Sequence, residues 1–224
     1  SHDEFSDDLK LKHPSFIKQC LEKASGKPLF LFLYFSKIHT VTVSDVLKKY
    51  EWNDKKFYEK KDENLKRYDN TFIEVGKYMK TFLDTLKELQ IYDNSIIIFF
   101  SDHGTGIGER FSERNYGSFT YEETIRTFHL FISKDIKKGR ISEKLRDTID
   151  IFPTILDLAK INSNLDRPGD SFAEFLLGNI SELREKDYTF SETGALHGLY
   201  PSPEKSNVFC VKTPTQKLMY LESP

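Results

Sequence analysis

The stretch Ser95–Arg110, SIIIFFSDHGTGIGER, decides the fold. Ile96 to Phe100 form an unbroken run of β-branched and aromatic side chains, which predicts a short strand buried on both faces. The run stops at Ser101, Asp102 and His103, and Gly104, Gly106 and Gly108 follow at once. A carboxylate and an imidazole therefore project from a loop at the carboxyl end of a strand, whose glycine backbone can bend closely around an ion; open α/β sheets hold their ligands there. A carboxylate oxygen and a neutral imidazole nitrogen both bind divalent cations, so Asp102 and His103 are the candidate metal ligands, a capped turn after the strand being the alternative.

Upstream, Asp62–Gln90 carries Leu65, Tyr68, Phe72, Val75, Met79, Phe82, Leu86 and Leu89 at steps of three and four, the pattern of one long amphipathic helix. Asp69 and Asp84 fall on its solvated side, and Asp93-Asn94 turns the chain into the strand, completing one αβ unit. Pro28–Ser36, PLFLFLYFS, predicts a second strand buried on both faces. Pro14–Ala24 predicts a short helix with Pro14 in its first turn and Gly26 past its end. Between them, Thr40–Lys61 reads as a connection whose rings at Trp52, Phe57 and Tyr58 anchor it to the core.

Downstream, Thr105–Phe119 reads as a loop rich in Gly, Arg and Glu, where Arg110 and Arg114 are candidates to bind an anion. Glu109 and Glu113 stand beside them, so self-neutralisation on an exposed loop is the alternative for at least one arginine. Thr127–Ser133, TFHLFIS, is the third buried strand, with His129 a sheet-face residue outside the site. In Ile149–Ala159, IDIFPTILDLA, Pro153 opens a helix and Asp150 sits where its carboxylate meets the first unpaired amides. Arg167–Phe172 makes a turn into another short helix that ends near Gly178. From Tyr188 the pattern changes to short apolar runs, 188–191, 207–212 and 217–221, which predict a small antiparallel layer.

Composition bounds the function. The 224 residues suffice for one sizeable core, with 38% hydrophobic and 30% charged residues, and a net charge of −2 argues against a nucleic-acid surface. No apolar stretch has the length of a membrane span, and Ser1–Lys10 is polar and acidic, unlike a signal peptide; the compartment stays open. Cys20 and Cys210 lack ligand spacing and are expected as buried free thiols.

The block YDNTFIEVGKYMKTFLDTLKELQIYDNSIIIFFSDHG, the later YEETIRT and then IDIFPTILDLA together resemble the sulfatase branch of the alkaline phosphatase superfamily. The resemblance implies an α/β fold: a doubly wound mixed sheet flanked by helices, alkaline phosphatase-like, with a small antiparallel sheet at the carboxyl end. It implies that residues 1–180 are the carboxyl-terminal part of the α/β core and 181–224 the small layer packed on it. It also implies one divalent cation at Asp102 and His103, Ca²⁺ first, with Mg²⁺ or Mn²⁺ as alternatives. His39, in LYFSKIHTV, matches a histidine that contacts the ester or its leaving group, the alternative being a surface-loop residue.

The sequence departs from the family pattern in three places. The proline that often follows the His39 position is absent, Phe128 stands near a usual proline, and Asn115–Ser118 occupies the place where many relatives carry a lysine before YEE. No Cys-x-Pro-x-Arg or Ser-x-Pro-x-Arg occurs, since Cys20 is followed by LEKAS and Cys210 by VKTPT. The resemblance thus implies the carboxyl-terminal half or so of a larger enzyme, whose amino-terminal half is the missing partner carrying the nucleophile. The expected function is metal-dependent hydrolysis of sulfuric esters, with a small-molecule or glycan sulfate ester as substrate. Phosphoryl or phosphonate ester hydrolysis or transfer is the alternative, and a noncatalytic binding remnant the second.

Overall fold

A computed structural model of the chain describes residues 9–34, 55–111, 113–115, 119–164, 166–194 and 207–222, with backbone alone at 9–12, 114 and 115. His39, Trp52 and the 35–36 end of the second predicted strand lie outside the described residues. The chain divides into two compact units, Ser1–Asp93 and Asn94–Pro224.

The first unit is helical: α1 is Leu9–Ala24, α2 is Lys55–Glu59 and α3 is Lys61–Glu88. Helix α1 begins at Leu9 instead of Pro14, so the proline lies inside it; Pro14 lacks the N–H that would close a turn there, and the helix continues through the gap. Helix α3 follows its predicted span, and its exposed side carries ion pairs such as Lys80–Asp84 at 2.6 Å and Lys77–Glu74 at 2.8 Å. Its buried face differs from the expected one. Asn64, Thr71, Val75, Tyr78, Thr85 and Leu86 are buried, whereas Leu65 and Phe72 are exposed. The polar members tolerate burial because each is satisfied locally: Asn64 Nδ2 donates to Phe57 O at 2.9 Å, Thr71 Oγ1 to Arg67 O at 3.0 Å and Thr85 Oγ1 to Thr81 O at 3.0 Å. Phe57, with no exposed surface, anchors α2 as expected. His13 meets the Tyr78 hydroxyl through Nδ1, which ties α1 to α3, and burial pushes its imidazole below the ordinary value.

Pro28–Tyr34 forms no strand, and Phe30 is 76% and Phe32 66% exposed. An apolar run becomes a buried strand only where neighbouring strands accept from its N–H groups and donate to its C=O groups, and residues 28–34 belong to no strand ladder among the described residues.

In the second unit, a turn at Tyr92–Asn94 leads into β1, Ile97–Phe100. The two short strands β2, Gly106–Arg110, and β3, Glu113–Asn115, form an antiparallel pair with irregular register where a loop was expected. The one-turn helix α4, Glu122–Ile125, precedes β4, His129–Ile132, which pairs antiparallel with β1 from Ile97↔Ile132 to Phe100↔His129. Ile98 and Phe131 oppose one another in that ladder and join Ile151, Phe172, Phe175, Leu176 and Leu183 in the core of this unit. Helices α5, Ile151–Leu158, and α6, Ala173–Leu177, supply half of that cluster, and α6 ends on Gly178 in the left-handed region at φ +83°.

Asp150 starts α5 as the sequence predicted. It is fully buried in a reciprocal capping box with Asp147, receives Asp170 N–H at 2.7 Å, and holds the Lys186 ammonium at 2.7 Å. Burial alone would lower the Lys186 pKa, but the hydrogen bonds and charges of Asp150 and Asp147 outweigh it and leave the net shift upward. The last element is the antiparallel sheet β5 (Thr189–Thr193), β6 (Val208–Lys212) and β7 (Lys217–Leu221), in that order. Val208 and Cys210 on its inner face are 0% and 1% exposed, and Cys20 and Cys210 are both free thiols. Among the described residues no helix is long and apolar enough to cross a membrane.

Candidate functional site

Ser101 closes β1, and the next two side chains stand in solvent: Asp102 is 67% and His103 43% exposed. The Asp102 carboxylate folds back on its own loop, with Oδ1 accepting the His103 backbone N–H at 3.0 Å. This leaves Oδ2 3.6 Å from His103 Nε2. His103 Nδ1 lies 2.6 Å from Gly104 O; a carbonyl can only accept, so the ring proton sits on Nδ1 and the lone pair on Nε2. A hard oxygen and a lone-pair nitrogen therefore face one another at a separation that a single cation, bonded to each at about 2.0–2.4 Å, can bridge. The donor set fits a divalent metal as two of its ligands. Among the described residues no group of three or more His, Cys, Asp or Glu side chains comes together to complete it.

The loop is pinned at both ends by the segment around α4. Ser101 N–H donates to Phe128 O at 3.3 Å, Phe128 N–H to Ser101 Oγ at 3.3 Å, and Gly104 N–H to Thr124 O at 2.8 Å. Arg110 stands at the end of β2 with Nε 2.8 Å from Glu123 Oε1, an ion pair without hydrogen-bond alignment, and its guanidinium lies over the Tyr121 ring at 4.3 Å. Half of the Arg110 side chain remains exposed. Arg114 is in β3, and its side chain, like all of His39, lies outside the described part of the chain. Lys212 on β6 places Nζ 2.7 and 2.6 Å from the two oxygens of Glu122.

Glu122, Glu123 and Thr124 are thus neighbours of the Asp102-His103 loop that the sequence pattern did not assign to a site, whereas Lys212, in the run VKTPTQKLMYLE, reads from the sequence as a candidate for the edge of the cleft. The signal available was the YEET stretch itself. His129 lies on β4 opposite Phe100 with its ring stacked on Phe172, centroids 6.4 Å apart and planes 8° from parallel. Its Nε2 is buried with no hydrogen-bond partner among the described residues, and burial holds its pKa below the ordinary value, opposed by the Asp150 charge.

A strand that ends in an exposed Asp-His pair, packed against helices and followed by a small antiparallel sheet, is a mixed α/β arrangement. The sequence pattern described as Sulfatase matches residues 7–161, and the chain belongs to the sulfatase family. It is 31% identical to the N-acetylglucosamine-6-O-sulfatase of Bacteroides thetaiotaomicron over 50% of this chain and 20% of that protein. It is 28% identical to an arylsulfatase of Clostridium perfringens over 64% of this chain and 28% of that one. Among solved structures, the phosphonate monoester hydrolase of Silicibacter pomeroyi superposes with a TM-score of 0.55 at 25% identity, covering 69% of this chain and 33% of that one. The alkaline phosphatase-like α/β fold expected from the sequence is thereby shown. The chain spans well under half the length of each of these relatives.

Proposed function

We propose that this chain supplies the carboxyl-side part of a metal-dependent hydrolase of sulfuric esters, with Asp102 and His103 as two ligands of one divalent cation. The observation that supports this reading is the pairing of Asp102 Oδ2 with His103 Nε2 at 3.6 Å while Nδ1 is engaged at Gly104 O. Ca²⁺ is the first choice of ion, since a carboxylate on a loop suits a large hard cation, with Mg²⁺ and Mn²⁺ next. When bound, the cation neutralises charge on the ester oxygens. Arg110, opposite Glu113 at the turn end of the β2–β3 pair, and Arg114, the next residue along β3, orient the anionic group, and His39 contacts the ester or exchanges a proton with its leaving group. In this reading residues 1–180 belong to the α/β core and 181–224 to the layer packed on it. The nucleophile and remaining ligands come from an amino-terminal half of the same protein. The substrate is a small-molecule or glycan sulfate ester, a choice supported by the sugar sulfatase among the relatives.

The test is hydrolysis of p-nitrophenyl sulfate by the protein with its complete sulfatase domain, alongside metal titration. Asp102→Ala is expected to abolish turnover and to weaken the metal by more than the roughly 10–100-fold typical of changes outside the ligand set. Unchanged metal affinity in that variant sinks the ligand assignment. A second reading, phosphonate or phosphoryl ester hydrolysis, is favoured by the 25% identity to a phosphonate monoester hydrolase and by Asn115–Ser118 in place of the lysine. Faster turnover of p-nitrophenyl phenylphosphonate than of the sulfate would select it.

A further inference from the structure

We propose that the Tyr121–Ile125 segment is the positioning element for Asp102 and His103, and that Lys212, gripping Glu122 from the carboxyl-terminal sheet, holds that element in place. The inference rests on the reading of Asp102 and His103 as metal ligands. Two contacts bracket the ligand loop: Ser101 N–H to Phe128 O at 3.3 Å and Gly104 N–H to Thr124 O at 2.8 Å. At Gly104 the backbones press together, because a Cβ there would stand 2.3 Å from Glu123 O. The separation of the two ligand atoms is therefore set by backbone that lies directly against α4.

Helix α4 cannot hold itself. Four residues make a single turn, and one turn fixes several dihedral angles for almost no internal hydrogen bonding. Its conformation comes from ties to its surroundings. Buried Thr124 shares its hydroxyl proton between Tyr121 O at 2.9 Å and Phe119 O at 3.0 Å. Two cations then clamp consecutive carboxylates: Arg110 on Glu123, and Lys212 on both oxygens of Glu122, with Lys217 Nζ 4.0 Å from the same carboxylate. Lys212 is 90 residues from Glu122 in sequence, so this pair joins the carboxyl-terminal sheet to the ligand loop. Both Glu122 carboxylate oxygens are engaged by the half-buried Lys212 ammonium, with the Glu122 side chain 42% exposed, so the tie rests on its two short charge-assisted contacts and not on burial. Releasing it frees α4 to shift, and Gly104 with it.

The experiment titrates the protein with its complete sulfatase domain, carrying isotope-labelled histidine, with Mn²⁺ and follows paramagnetic broadening of the His103 ring signals by NMR. The parent chain is expected to broaden at His103. Lys212→Met should need about 10-fold or more Mn²⁺ for the same broadening, the scale of losses outside the ligand set. Its His129 signals, which report the β4 core contact with Phe172, should stay in place. Lys212→Arg, which keeps the charge and the grip, should return the titration to the parent's. Glu122→Gln, which keeps the shape and removes the charge, should match Lys212→Met and serves in its place if that variant does not fold. No broadening at His103 in the parent overturns the metal reading itself. Broadening in the parent with unchanged titrations in Lys212→Met and Glu122→Gln overturns the positioning role and leaves the metal reading intact.

Discussion

His129 carries a charge-state preference that nothing in its local sequence discloses. Its ring stacks on Phe172 and its Nε2 is buried without a hydrogen-bond partner among the described residues, so the fold favours the neutral imidazole and its pKa falls below 6.5. As pH drops below 6.5, the unfolded chain takes up a proton that the folded chain resists, and stability that is full above that value is lost. His13 acts with the same sign, while Asp147, whose pKa burial raises, acts oppositely at lower pH. The urea midpoint is therefore expected to fall between pH 7.5 and 5.5, and to fall less in His129→Phe, which keeps the ring stack. Equal pH dependence in the two proteins would remove His129 from this account. The exposed Asp102-His103 loop, by contrast, was legible in the sequence, because both residues follow the apolar run directly and stand past the end of the strand. The partners of their supporting turn were not: Lys212 and Glu122 meet through tertiary folding, and no local period encodes a contact across that separation.

Among the elements, the long helix, the places of β1 and β4 and the three carboxyl-terminal strands were readable because each is a periodic or apolar run bounded by turn residues. But β1 and β4 are not buried on both faces as expected: Leu130 is exposed on the face opposite Phe131 and Phe100 at the end of its strand, because the two strands pair with one another and only one face meets the core cluster. The helix face was misread where Asn64, Thr71 and Thr85 are buried, since hydropathy does not count the carbonyls that satisfy them. The β2–β3 pair reads as a loop from sequence because both strands are short and polar at their ends, and the two glycines of β2 carry no side chain to show alternation. Two glycines separate backbone strain from crowding. Gly178 has φ +83°, and an added Cβ meets the Lys137 side chain, Cδ at 2.8 Å, which can move aside. Gly169 has φ +97°, and its Cβ would stand 2.4 Å from the Ile149 carbonyl oxygen, next to the buried Asp150. Gly178→Ala is expected to cost about 1–2 kcal/mol, the strain of a left-handed alanine. Gly169→Ala must displace backbone as well, so its urea midpoint should drop clearly further; equal losses would show that the Ile149 turn yields freely.

Across the whole molecule, apolar side chains divide into those with a core to enter and those without, and hydropathy alone does not distinguish them. Pro28–Tyr34 is as apolar as the β1 strand, yet Phe30 is 76% exposed and Ile97 only 8%. The difference is pairing: Ile97 lies in a ladder with Ile132, while residues 28–34 form no ladder among the described residues. Phe57, in the same unit as Phe30, is fully buried against α3, whose Asn64 side chain donates to its carbonyl. The two phenylalanines should therefore respond oppositely to truncation. Phe57→Ala removes a buried ring and leaves a cavity, at a cost of about 3–5 kcal/mol. Phe30→Ser removes a ring already in water, so stability should change by no more than about 0.5 kcal/mol and solubility should rise. Chemical denaturation of the chain with each substitution measures both. A loss of more than about 2 kcal/mol in Phe30→Ser would mean that the ring is packed and the segment sits in a sheet after all, as the sequence first suggested.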